Sequence, residues 1–308
     1  MSIKTQLMQK NGLVAMKLSR ELATMQVGDR INTIAEYSQK YGTARGTVQS
    51  AIKLLQQYKA INLEPKGHLG TFISFIDYKA LWEFTDFGTI MGVMPLPYSK
   101  LYEGLATGLY KTVSKSSVPF SLAYMRGAKA RLDALISGRY DFAITSKLAA
   151  LYSIKDGMDI DIAIEFGKYT YVNEHAMIFA DVSKKNIEDG MRVGIDRSSI
   201  DHYMLTLNQC CDKNIELVDL AYNQIIMKLK IGEIDAAIWN IDEIIERKLS
   251  IKYYPLEYED VKRDDTEAVI VVNRDNYGIR NLLIHFINKD DVIEYQKQVV
   301  KEVLIPNY

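Results

Sequence analysis

Apolar positions in the first 76 residues recur every third or fourth place and then switch to shorter runs. Val14, Leu18, Leu22 and Met25 make a first helical stripe, which Gly28 and Asp29 interrupt. Thr33 stands where an N-cap starts a second short helix carrying Ile34, Tyr37 and Tyr41, and Gly42 supplies a tight turn after it. A third helix begins near Ala44 and buries Val48, Ala51, Ile52 and Leu55, leaving Arg45, Thr47, Gln49 and Lys53 largely off the buried stripe. After Tyr58 the period changes: Ile61–Leu63 reads as a strand, Lys66–Gly70 as a turn and Thr71–Phe75 as the return strand.

From residue 89 onward, strands and helices alternate. Thr89–Met94, Phe120–Tyr124 and Asp141–Ile144 read as strands, with helices from Tyr98-Ser99 to about Val113 and over Ala128–Ile136. The order predicts a mainly parallel sheet with helices on both faces. It then repeats: strand Met191–Ile195, helix from about Ser199, strand Glu216–Val218, helix Asn223–Ile231. The run Gly138-Arg139-Tyr140-Asp141-Phe142-Ala143-Ile144 is echoed by Gly232-Glu233-Ile234-Asp235-Ala236-Ala237-Ile238, in each case a helix-ending glycine leading into a strand. Two α/β lobes are therefore expected, over 88–165 and about 176–240, with a cleft between them where a small ligand can bind. Residues 77–89 form a connector rich in aromatics (Tyr78, Trp82, Phe84, Phe87), so it is expected to pack against something. The expected division is 1–76, 77–89 and 90–308.

A helix, a glycine turn, a helix with polar and basic residues at its start, and a hairpin together read as a winged helix-turn-helix. The second helix of that motif lies in the DNA major groove. Charge supports this. Residues 1–76 hold ten Lys or Arg against four acids, whereas the remainder holds 28 against 35. A basic head on an acidic body is what a DNA-binding module fused to another domain shows, though a small helical domain can be basic without binding DNA. The only cysteines, Cys210 and Cys211, are adjacent and build no disulfide framework, which fits a reducing, cytoplasmic setting. No apolar run of about 20 residues and no signal-peptide pattern is present, so no membrane role is expected. His68, His175, His202 and His285 are scattered without metal-ligand spacing, so neither metal nor cofactor is expected.

Residues 13–73 resemble the winged helix of GntR-type regulators through Gly28-Asp29-Arg30-Ile31, Tyr41 to Val48, Leu54-Leu55 and Gly70-Thr71-Phe72-Ile73. The resemblance implies DNA contacts from Arg45 and Thr47 on the recognition helix, and from His68 and Gly70 on the wing. Where that family carries Pro-Ser-Glu-Arg, this chain has Asn32-Thr33-Ile34-Ala35, so an arginine that usually grips DNA is missing. Residues 88 to roughly 300 resemble the type 2 periplasmic-binding-protein fold. Taken whole, the chain resembles the YhfZ family. The expected fold is thus multidomain: an N-terminal winged helix-turn-helix and a C-terminal two-lobed α/β domain of the periplasmic-binding-protein kind.

Position on such a fold selects ligand candidates, because ligands lie beyond strand C-termini and near helix N-termini. These are Tyr98 and Ser99, Arg126 and Gly127, Thr145 and Ser146, Arg197 with Ser198 and Ser199, and Trp239 with Asn240. Hydroxyls, backbone N–H groups and two arginines suit a carboxylate or phosphate. Serines at helix starts are also ordinary N-caps, and either arginine can pair with a surface acid. The acid pairs Asp264-Asp265 and Asp290-Asp291 fall in polar stretches where solvated turns or helix caps explain them, and no catalytic motif is evident. The expectation is a ligand-responsive regulator that binds operator DNA as a homodimer and is not an enzyme. A binding protein or enzyme with the winged helix as a secondary attachment is the alternative; a third possibility is that the lobes are only a dimerisation scaffold.

Overall fold

The computed structural model describes residues 10–85, 88–116, 118–256 and 263–308, so Phe87 lies outside the described residues. The chain forms two compact units. One comprises the chain up to Ile90 with Thr112–Phe120 and Asn281–Phe286; the other comprises Met91–Lys111, Ser121–Arg280 and Ile287–Tyr308.

In the first unit α1 (Lys10–Leu22), α2 (Ile34–Tyr41) and α3 (Arg45–Gln57) pack around Leu18, Leu22, Tyr37, Val48 and Leu55. Thr33 caps α2 in a capping box: its hydroxyl accepts from the Glu36 N–H while the Glu36 carboxylate accepts from the Thr33 N–H. Gly42 ends α2 in the left-handed conformation (φ 61°), which turns the chain into α3. The hairpin is β2 (Ile61–Pro65) and β3 (Thr71–Ile76), joined by a 3₁₀ turn at Gly67–Leu69. A short strand not expected from the pattern, β1 (Arg30–Ile31), pairs antiparallel with β3 and completes the sheet. Two residues are too few for an apolar alternation to register. The aromatic connector forms α4 (Tyr78–Glu83), with Leu81 and Trp82 buried. The Tyr78 hydroxyl donates to the Met25 carbonyl at 2.8 Å, and Tyr78 and Trp82 meet Phe286 edge-on.

The second unit contains two five-stranded sheets. The first runs β5-β4-β6-β13-β7, with β4 (Ile90–Met94), β5 (Phe120–Tyr124), β6 (Phe142–Ser146), β7 (Ile160–Glu165) and β13 (Ala268–Asn273). The second runs β10-β9-β11-β8-β12, with β8 (His175–Phe179), β9 (Arg192–Ile195), β10 (Glu216–Asp219), β11 (Ala236–Asn240) and β12 (Tyr253–Pro255). The helices that follow α4 are α5 (Lys100–Ser114), α6 (Ala128–Ile136), α7 (Lys147–Lys155), α8 (Ile200–Gln209), α9 (Tyr222–Lys230), α10 (Ile241–Glu246), α11 (Tyr277–Phe286) and α12 (Lys289–Val300); the end of α5 from Thr112 and Asn281–Phe286 of α11 belong to the first unit. Each sheet has a parallel core, but β13 runs antiparallel to β6 and β7, and β8 antiparallel to β11 and β12. The expectation of mainly parallel sheets is corrected to mixed ones. The physical reason is the connectivity: the chain leaves the first sheet after β7 and returns to it only at β13.

The repeated motif has one structural job in both lobes. Gly138 and Gly232 end their helices with positive φ (74° and 72°). Asp141 and Asp235 then clamp the neighbouring strand: each carboxylate accepts the N–H of Met91 or Arg192, and each N–H donates to that same residue's carbonyl, all at 2.8 Å.

Candidate functional site

On the first unit, the unburied side of α3 carries Arg45, Gln49 and Lys53 at a spacing of four, all exposed, with Thr47 half-exposed beside them. No ion pair reaches Arg45 or Lys53 among the described residues. Ala44 at the N-cap offers no side-chain acceptor, so the first N–H groups of α3 are not capped by a side chain. His68 is exposed at the hairpin tip, and Gly70 (φ 105°) packs so closely on Arg30 that a Cβ there would lie 2.6 Å from the arginine Nε. Such a surface presents free cations and bare amides together, the groups that meet phosphates and base edges.

On the second unit, a cleft opens between the two sheets, with about 680 Å³ of empty space when its open mouth is included. Its walls come from strand ends and helix starts of both lobes. Tyr98 and Tyr102 follow β4; Arg126, Gly127 and Arg131 follow β5; Asp196, Ser199, Asp201 and His202 follow β9; Asn240 and Glu243 follow β11. Tyr222 closes one side, stacked on Trp239 with ring centroids 3.9 Å apart. A second chamber shares Tyr98, Tyr222 and Glu243 and is backed by Trp239.

Arg131 is 3% exposed. Its Nε donates to the Ile144 carbonyl at 3.0 Å, Nη1 to the Met125 carbonyl at 2.9 Å and Nη2 to the Tyr171 hydroxyl at 3.1 Å. No carboxylate lies within ion-pair distance among the described residues. A guanidinium has five N–H donors, so two of Arg131's remain unmatched on a buried cation that lines the cleft. Arg126, from the same lobe, reaches across to the other lobe, with Nη1 3.3 Å from Asn223 Oδ1 and 3.9 Å from Asp196 Oδ2.

The acidic side of the cleft is also ordered. Burial works against ionisation of Asp196, but its carboxylate accepts from the Ser198 N–H and hydroxyl and from the Tyr222 N–H. These bonds, with the Arg126 charge, hold its pKa below the ordinary value. His202 presents Nδ1 to the Asp196 N–H at 3.1 Å and donates Nε2–H to the Ile238 carbonyl at 3.0 Å; burial pushes its pKa down to about 4, so it is neutral. His175 Nδ1 lies 2.8 Å from Asp265 Oδ2. Burial opposes protonation of His175, yet the Asp265 bond and the charges of Asp265, Asp201 and Asp242 outweigh it and raise its pKa. Burial pushes Asp201 up to about 6. The Ser146 hydroxyl donates to Asp201 Oδ1 at 2.5 Å, a buried bond that joins the two lobes behind the cleft wall.

Of the residues expected from sequence, Tyr98, Arg126, Gly127, Ser199 and Asn240 line this cleft, and Ser99, Thr145, Ser146, Arg197, Ser198 and Trp239 do not. Arg197 pairs with Asp219 at 2.6 Å in a shallow depression that Ser198 also borders. Ser146, Ser199 and Asn240 cap α7, α8 and α10. Thr145 is fully buried, and Trp239 stands behind Tyr222. Asp265, expected in a solvated turn, is 2% exposed and bonded to His175, a correction that rests on long-range packing. Arg131, Asp201, His175, Tyr171 and Tyr222 escaped the sequence reading. Arg131 and Asp201 lie a turn or less inside helices rather than in the loops ahead of them, so searching loop residues passed over them. Ser146 donates to Asp201 and not to His175, so no nucleophile–base relay forms between them.

The profile of the YhfZ C-terminal domain matches residues 77–308, and that of a helix-turn-helix domain matches residues 26–73. YhfZ of Escherichia coli K12 is 34% identical over 304 residues, covering 97% of this chain and 98% of that protein. The crystal structure of YhfZ from Shigella flexneri superimposes with a TM-score of 0.63 at 36% identity, covering 75% of this chain and 97% of that one. The amino acid transporter substrate-binding protein AbpA from Streptococcus pneumoniae, solved with L-arginine, superimposes with a TM-score of 0.52 at 16% identity, covering 70% and 94% of the two chains, and shares the fold. No described helix is long and apolar enough to cross a membrane.

Proposed function

The chain belongs to the YhfZ family, and on that footing we propose that it is a homodimeric, cytoplasmic transcription regulator that senses a small molecule with an anionic group. A helix-turn-helix domain joined to a binding-protein-like domain is the make-up of a ligand-responsive regulator. The observation that carries the sensing half is Arg131, a buried cation with two unmatched donors in an interlobe cleft. A carboxylate or phosphoryl oxygen is the partner such donors lack. Arg126 lines the same cleft and adds a second positive charge there. For the DNA half, Arg45, Thr47, Gln49 and Lys53 form the reading face of α3, with His68 and Gly70 as wing contacts. Ligand shifts the lobe equilibrium only through unequal affinity for its states, and we propose that this shift alters operator affinity.

Fluorescence anisotropy with DNA from upstream of the protein's own operon tests the DNA half. Arg45→Ala is expected to weaken binding by about 1–3 kcal/mol, roughly 5- to 150-fold, with unchanged thermal stability. Equal binding by parent and variant removes the assignment of α3. Incubating any stabilising compound with the protein separates sensor from enzyme: a sensor returns it unchanged.

A further inference from the structure

The cleft is lined by carboxylates as well as cations. Asp196, Asp201 and Glu243 face it together with Arg126, Arg131 and His175. A purely anionic ligand would enter beside three acids, and a purely cationic one beside three bases. Asp196 already pairs with Arg126, Glu243 with Arg247 and His175 with Asp265, so one cation, Arg131, and one acid, Asp201, stand without an ion pair among the described residues, one for each end of a ligand.

The unpaired atoms sharpen this. Asp201 is 6% exposed, and only its Oδ1 accepts a hydrogen bond among the described residues, from Ser146. Oδ2 has none. His175 likewise uses Nδ1 on Asp265, and no described residue bonds its Nε2. Arg131 has its two spare N–H groups. Buried polar groups are normally satisfied, so spare donors and a spare carboxylate oxygen around one cavity mark places for a ligand's own acceptor and donor. An acid near a helix start often serves only the helix dipole, but such an acid is ordinarily solvated, and Asp201 sits on the cleft floor. Tyr98, Tyr102, Tyr171 and Tyr222 add aromatic walls of the kind that pack against an ammonium or its carbon skeleton.

We infer that the ligand is a small zwitterion, an amino acid or a close analogue, whose anionic end takes the two spare donors of Arg131 and whose ammonium takes Asp201 Oδ2. This rests on the sensor reading above and narrows its ligand class.

The full chain is tested by thermal shift and then calorimetry against two panels. One contains the twenty standard L-amino acids; the other contains their N-acetyl derivatives with succinate, malonate and inorganic phosphate. At least one free amino acid is expected to raise Tm by several degrees, and its N-acetyl derivative to bind at least tenfold more weakly. Asp201→Asn is expected to weaken the amino acid at least tenfold while the ligand-free Tm holds or rises; Asp201→Glu, which keeps the charge, is expected to recover part of the affinity. If only the acetylated or amine-free anions stabilise the protein, the zwitterion inference fails and the anion sensor stands. Silence across both panels overturns both. Full amino-acid affinity in Asp201→Asn overturns the assignment of the ammonium to Asp201.

Discussion

Asp201, proposed above to hold the ligand's ammonium, is a buried carboxylate that costs the folded protein stability. Its carboxyl rises from 3.8 to about 6 because burial strips water from the charge, with Ser146, His175 and Arg131 offsetting part of that and Asp265 adding to it. A raised carboxyl binds its proton more tightly in the folded state. The stabilisation is full below pH 3.8 and is lost as pH climbs through about 6. Across that window the loss is on the order of 3 kcal/mol. His175, also raised, loses its contribution in the same direction but from about pH 6.5 upward. Ligand-free Asp201→Asn is therefore expected to be more stable than the parent at pH 7.5, with the difference shrinking toward pH 4.5. Denaturant melts at the two pH values check it; a difference that does not change with pH means that Asp201 titrates normally.

Two glycines at helix ends separate backbone requirement from lobe contact. Gly127 (φ 79°) precedes α6, and a Cβ there would lie 2.9 Å from the Ser198 carbonyl oxygen of the other lobe. Gly138 (φ 74°) follows the same helix, and a Cβ there meets nothing within 4 Å. Alanine at either position is strained by the positive φ, which glycine alone adopts freely. Only Gly127→Ala also forces the lobes apart, so it is expected to weaken the best-bound amino acid tenfold or more, whereas Gly138→Ala leaves its affinity within twofold. Calorimetry on the two variants distinguishes these outcomes, and equal affinities would show that Gly127 serves its own turn alone. These elements also mark how far the pattern reading reached. Helix and strand spans followed from apolar period and caps, as with Thr33 and the repeated Gly138 and Gly232. Strand direction did not, because β8 and β13 are placed by chain crossings far from their own residues.

At the level of the whole protein, recognition of two DNA half-sites calls for two heads. A dimer is expected by light scattering at micromolar concentration. Lys53→Ala is expected to reduce the slope of log binding constant against log salt by about 1, as the loss of one phosphate contact does. A strictly monomeric protein that binds one site per duplex would remove the dimer from the proposal. The pairing of a basic head with an acidic two-lobed body, legible in the distribution of 38 basic and 39 acidic residues, is consistent with that division of labour.

Local order written in short stretches was readable from the chain alone: the helical stripes of the head, its hairpin, the doubled glycine–aspartate strand entry and the family they point to. Those features depend on neighbours within a few residues, where period, caps and turns act. Folding alone brought Asp265 onto His175, Ser146 onto Asp201 and Arg131 under Tyr171. These partners are 90, 55 and 40 residues apart. Their meeting depends on two sheets closing over one cavity, and no local pattern encodes which buried charge will be left unmatched there.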